Sequence, residues 1–141
     1  MLKSKLIHPT ILETLGGSGH GGKVLIADGN YPVSTRAHPA ARRVYLNLMP
    51  GKLTVTEVLE ALLTAIPVEA VDVMMTDTGI EPEIYAEFRR LLPGLTLQKH
   101  ERFAFYDLAR DPDTCLVIAT GEQRLYANIL LTIGVVPPDA G

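Results

Sequence analysis

Behind Pro9, apolar residues recur at near-helical spacing at Ile11, Leu12 and Leu15, and Gly16-Gly17 stops the run, which predicts a short first helix. The pattern then changes period. Lys23-Val24-Leu25-Ile26-Ala27-Asp28 is a continuous apolar stretch too short for a helix and closed by Gly29-Asn30-Tyr31-Pro32, which predicts a buried strand delivering Asp28 at its end. Thr54-Val55-Thr56-Glu57 has capping-box spacing, and Val58, Leu59, Leu62, Leu63 and Ile66 follow at helical intervals up to Pro67. Val68 to Thr76 reads as a strand, with Glu69 and Asp72 weighing against it. Pro82 opens a helix through Ile84, Tyr85, Phe88, Leu91 and Leu92, and Pro93-Gly94 ends it. A short strand over Leu95 to Gln98, a helix over Phe103 to Ala109, and two closing strands, Cys115 to Thr120 and Asn128 to Val135, complete the reading.

Strands alternating with helices indicate an α/β domain, and strands that are apolar throughout must be covered on both faces. The 141 residues and 47% hydrophobic content suit one domain over residues 1–141, with no repeat or linker dividing it. Charged residues make up 21% and the net charge is -3, so no basic field invites nucleic acid or an anionic membrane surface. The first nine residues hold no signal-like apolar stretch and nothing reaches transmembrane length, so no membrane role is expected. Cys115 is the single cysteine, in an apolar run. No disulfide forms within such a chain, and a cytoplasmic location is expected.

Gly17-Ser18-Gly19-His20-Gly21-Gly22 matches G-x-G-x-x-G literally, but that motif works by following a strand and opening a helix. Here the glycines follow a helix and precede a strand, so no nucleotide cofactor is expected. A P-loop fails as well, because Val24 follows Lys23. His20, flanked by glycines, leaves its ring open to a ligand or a neighbouring chain, and an imidazole can give or take a proton at neutral pH, so it is a candidate proton-transfer group; an idle loop histidine is the other reading. Asp28 sits where open α/β sheets place ligand-binding groups, or else starts an Asx turn before Gly29. Arg102 offers a fork of donors to a sugar hydroxyl or oxyanion, or forms a surface ion pair with Glu101. Tyr126 and Asn128, two apart in a segment read as extended, point the same way and suit sugar hydroxyls, or else pack a strand edge. His8, His38 and His100 form no chelating pattern, so no metal is expected, and Glu81, Glu83 and Glu87 with Arg89 and Arg90 read as a solvated helix face.

Taken in order, Gly19-His20-Gly21, Leu25-Ile26-Ala27-Asp28, Glu101-Arg102-Phe103-Ala104-Phe105-Tyr106, Thr120-Gly121-Glu122 and Tyr126-Ala127-Asn128-Ile129-Leu130-Leu131 resemble the D-ribose pyranase and L-fucose mutarotase family, over nearly the whole chain. The Arg-Phe-Ala-Phe-Tyr block is similar to the fucose branch. Ala127 is also seen in the ribose branch, and Asn30 stands where the fucose branch commonly has histidine, so the preferred sugar stays open. The resemblance implies a three-layer α/β/α single domain with a central mixed, largely buried sheet. It makes His20 the proton donor and Asp28, Arg102, Tyr126 and Asn128 the substrate-binding residues, with no cofactor. It further implies a homo-oligomer, often a decamer, with sites near subunit contacts. The expected reaction interconverts ring forms of a free monosaccharide through the open-chain aldehyde. The competing readings are a sugar-binding or transport-accessory protein without catalysis, a ribose pyranase, and a nucleotide-binding regulator.

Overall fold

The computed structural model describes residues 1–140. Six strands form one sheet: β1 (Lys23–Ala27), β2 (Arg42–Tyr45), β3 (Val68–Met74), β4 (Leu97–His100), β5 (Thr114–Ala119) and β6 (Ile129–Ile133), in the order β2-β5-β1-β6-β3-β4. β6 alone runs against the others, pairing antiparallel with β1 and β3, so the remaining five strands end on one edge of the sheet and β6 starts there.

Both faces of the sheet are covered, as apolar strands require. Val24 and Ile26 of β1, Leu116 and Ile118 of β5, and Ile129 and Leu131 of β6 face α1 (Pro9–Gly16), α2 (Val55–Leu62) and α3 (Ile84–Leu91), meeting Ile11, Leu59, Tyr85 and Phe88. The alternate residues Leu25, Ala27, Val117 and Leu130 face α4 (Arg102–Ala109) and the 31–41 loop, meeting Phe105, Ala109, Tyr31 and Val33. The result is the expected α/β/α sandwich on a mixed sheet.

Local signals set several boundaries. The capping box at α2 is complete: the Glu57 amide donates to Thr54 Oγ1 and the Thr54 amide donates to Glu57 Oε2, each at 3.2 Å. His8 caps α1, its Nδ1 accepting from the Ile11 amide at 3.3 Å, with Pro9 opening the helix. Other ends fall short of expectation. α2 stops at Leu62 and continues to Ala65 only as turns, β3 stops at Met74 and β6 at Ile133. β2 is unannounced by the apolar pattern because, of its four residues, only Val44 is buried. Asp72 does not break β3, because its carboxylate accepts from His100 Nε2 at 2.7 Å across the β3–β4 pair.

Candidate active site

The edge where the five parallel strands end is concave beside Asp28. A hollow of about 290 Å³ is lined by Asp28, Asn30, Tyr31, Met74, Arg102, Tyr106, Leu125, Tyr126 and Asn128. Four of the five candidate residues therefore share one cavity, brought together from the end of β1, the start of α4 and the entry to β6.

Asp28 is the buried centre of the hollow, 5% exposed. Its Oδ1 accepts from the Asn30 amide at 3.0 Å and its Oδ2 from the Ala127 amide at 3.2 Å, while its own amide donates to Asn128 Oδ1 at 2.7 Å. The Asx turn and the ligand-facing position are thus compatible uses of one side chain. Burial raises the Asp28 carboxyl above the ordinary aspartate range, and the amide donors offset that only in part. Asn128 is buried and fixed by the same exchange. Gly29 follows because the Glu122 carbonyl lies 3.0 Å from where a side-chain carbon would sit, and the Gly29 amide donates to that oxygen at 2.9 Å.

Arg102 opens α4, and Glu101 is not its ion-pair partner. Glu101 caps the helix, its carboxylate accepting from the Phe103 amide at 3.1 Å and the Ala104 amide at 2.7 Å. That leaves Arg102 to reach across the hollow, where Nη2 donates to the Tyr126 hydroxyl at 3.2 Å and the guanidinium lies 5.9 Å from the Tyr126 ring centre. Tyr126 itself departs from expectation. Its φ is 57°, and β6 begins only at Ile129, so Tyr126 and Asn128 do not alternate along a strand. They line one hollow because the backbone turns through the left-handed region, a conformation costing roughly 1–3 kcal/mol at a non-glycine residue.

Tyr31 and Tyr106 complete the wall, ring edge to ring face at 5.4 Å. The Tyr31 hydroxyl donates to the Arg36 carbonyl at 2.7 Å, and burial pushes its ionisation up, so it stays neutral. These two aromatics, Met74 and Leu125 went unmarked by sequence reasoning. The block containing Tyr106 was the one available signal, and Tyr31 borders Asp28.

His20 lies elsewhere. It precedes β1, at the edge where β1 begins, and β1 alone separates it from Asp28 by about 16 Å at the usual rise per residue. There its Nε2 lies 2.9 Å from Glu69 Oε1, with the ring side chain 59% exposed. A cavity of about 360 Å³ beside it is lined by Leu15, Ser18, Gly19, Pro67, Ile133, Val135 and Val136. Glu81 and Glu83, just before α3, and Arg89 and Arg90 on it are exposed, as a solvated face requires, with Glu81 bound by Arg89 and Lys99; Glu87 alone departs, half-buried and paired with Arg124 of the loop before Tyr126. Among the described residues no group of three or more His, Cys, Asp or Glu side chains is placed to hold a metal ion, and no helix is long and apolar enough to cross a membrane.

The profile of the RbsD / FucU transport protein family matches residues 1–136. The fucose mutarotase of Mus musculus is 31% identical over 92% of this chain and 90% of its own length. Among solved structures, the fucose mutarotase of Streptococcus pneumoniae in complex with L-fucose is 27% identical, covers 97% of this chain and 100% of its own, and superposes with a TM-score of 0.82. Bacillus subtilis RbsD complexed with D-ribose is 25% identical at the same coverage, with a TM-score of 0.84.

Proposed function

The chain belongs to the RbsD / FucU transport protein family, and from that premise we propose that it is an isomerase interconverting the ring forms of a free monosaccharide, L-fucose or a close relative. The observation that carries this reading is the hollow at the strand ends, of monosaccharide size, in which a buried carboxyl, a guanidinium, a phenol and an amide converge. The reaction removes the proton of the anomeric hydroxyl, breaks the bond between the anomeric carbon and the ring oxygen, and protonates that oxygen. The aldehyde then rotates and recloses by the reverse steps. Nothing is oxidised or reduced and no group is transferred, so side-chain acids and bases suffice; such assistance typically contributes ~10²- to 10⁴-fold. Asp28, with its raised pKa, takes or holds the hydroxyl proton. Arg102, Tyr126 and Asn128 orient the ring, and His20 is the proton donor.

His20 serves that role from a second copy, since it stands at the far edge of its own sheet. Exposed apolar side chains flank both half-sites: Leu125 (64%) and Phe103 (59%) at the hollow, Val135 and Val136 (62% each) at the His20 cavity. A contact joining one patch to the other is head-to-tail, and such contacts close into rings when the rotation permits. A ring-shaped homo-oligomer follows from this reading, and a decamer is the form that the family resemblance implies. The lone thiol of Cys115 agrees with a cytoplasmic home. Ribose is the second substrate reading, favoured by the match to the D-ribose complex over 97% of this chain.

Anomer and ring-form exchange rates for L-fucose and D-ribose, measured by NMR saturation transfer with and without protein, test the proposal. Accelerated exchange of one or both sugars is expected. Binding without acceleration makes the protein a sugar binder and removes catalysis from this reading.

A further inference from the structure

Tyr126 sits between two anchors. Downstream, the Ala127 amide holds Asp28 Oδ2 and Asn128 Oδ1 holds the Asp28 amide. Upstream, two residues before Tyr126, the Arg124 guanidinium spans three elements. Its Nη2 donates to Glu122 Oε1 at 2.8 Å and to Thr56 Oγ1 of α2 at 3.3 Å, its Nε donates to Glu122 Oε2 at 3.3 Å, and its Nη1 donates to Glu87 of α3. The buried Glu122 carboxylate also accepts from the Val55 amide, in the first turn of α2, at 3.4 Å. Gly121 lets this loop lie against the 49–52 turn, because a side-chain carbon there would overlap the Lys52 and Met49 carbonyls.

A planar guanidinium held between two carboxylates resists rotation in a way that a single ammonium does not. Such bracing is what a left-handed φ at a tyrosine requires, because a residue with a Cβ leaves that region unless its flanks over-determine it. Neither Arg124 nor Glu87 lines the hollow. We propose that Arg124, clamped between Glu122 and Glu87, is a positioning residue that keeps Tyr126 in its left-handed conformation and its hydroxyl beside Arg102, where the sugar is gripped. The sugar half of this inference rests on the function proposed above; the conformational half stands without it.

The test compares Arg124→Met, Tyr126→Phe and the double variant in the assembled protein, by KM and kcat for L-fucose exchange and by a crystal structure of Arg124→Met. In Arg124→Met, residue 126 is expected to leave the positive-φ region. KM is expected to rise about 3- to 10-fold, the size of one hydrogen bond to the sugar, with kcat changed less. The KM effect is expected to vanish in the Tyr126→Phe background, because both substitutions remove the same contact. A retained positive φ, or a KM effect that adds fully to that of Tyr126→Phe, overturns the clamp. Should Arg124→Met fail to fold, Glu87→Gln releases one side only, and an unchanged KM there overturns it equally. Were wild type to show no sugar exchange or binding, the proposed function would fall and the φ of residue 126 would decide the clamp by itself.

Discussion

The two ends of β1 carry opposite kinds of polar group. At its C-terminal end Asp28 is buried, with each carboxyl oxygen on a backbone amide and its own amide on Asn128. Before its N-terminal end His20 is open to solvent, with Glu69 as its hydrogen-bond partner. A strand-end carboxyl gathers donors because parallel strands deliver several loops to one edge; a histidine in a glycine turn gathers few. The first is pre-organised and the second accessible, and acid-base chemistry on one sugar needs both within hydrogen-bonding reach of it. Under the proposed function the two are halves of one site, completed when a second copy of the chain brings its His20 to the hollow.

The sharpest way to break that comparison is complementation. His20→Ala and Asp28→Ala are each expected to lower sugar exchange about 100-fold or more. Co-expressed and assembled at random, they should leave about one site in four with both groups intact and recover a matching share of activity. Absence of recovery in mixed assemblies, verified by two affinity tags, sinks the two-copy site.

A second measurement addresses the apolar patches. Leu125→Asp or Val136→Asp places a carboxylate in the proposed contact, an unpaired charge whose burial there costs several kcal/mol. Smaller species by sedimentation, with exchange lost in proportion, are expected. Full size with full activity would put the contact elsewhere.

The smallest effect contrasts two carboxyls at the same edge. Burial raises Asp28, so the folded state holds that proton more tightly. Its ionisation costs stability as pH rises from the ordinary aspartate value, ~3.9, through the raised folded one. For Glu122, burial pushes upward but the Arg124 fork and the amide donors outweigh it, leaving the carboxyl below its ordinary range. Its contribution is present above the unfolded value, ~4.3, and lost as pH falls through the lower folded one. Denaturant unfolding across this acidic range should show wild type about 1–3 kcal/mol above Glu122→Gln at neutral pH, with the gap closing on acidification. A gap independent of pH means the carboxylate is not held by charge. Asp28→Asn should lose the opposite slope.

Elements that declare themselves within a turn or two were legible in the chain. The Thr54–Glu57 capping box, the Pro82 and Pro93-Gly94 limits of the third helix, and the unbroken apolar run of β1 are all local. β2 was not, since an edge strand with one buried residue has no period to read. In the candidate site Asp28, Arg102, Tyr126 and Asn128 stood out as residue types, but not the turn that joins two of them. The left-handed Tyr126 depends on Arg124 meeting Glu87, 37 residues earlier, and on Asn128 meeting Asp28, 100 residues earlier. Glu87 accordingly passed for part of a solvated face.

Period, caps and ordered motifs were enough, from residues alone, to define an α/β sandwich, its family and the polar groups of its hollow, because each is carried by neighbours in the chain or by an order that folding does not alter. Only the tertiary structure decided that His20 stands a sheet's length from Asp28 and that Arg124, two residues before Tyr126, is held between Glu122 and Glu87. Those facts depend on strand direction and long-range pairing, and distance in space across a sheet has no counterpart in distance along the chain.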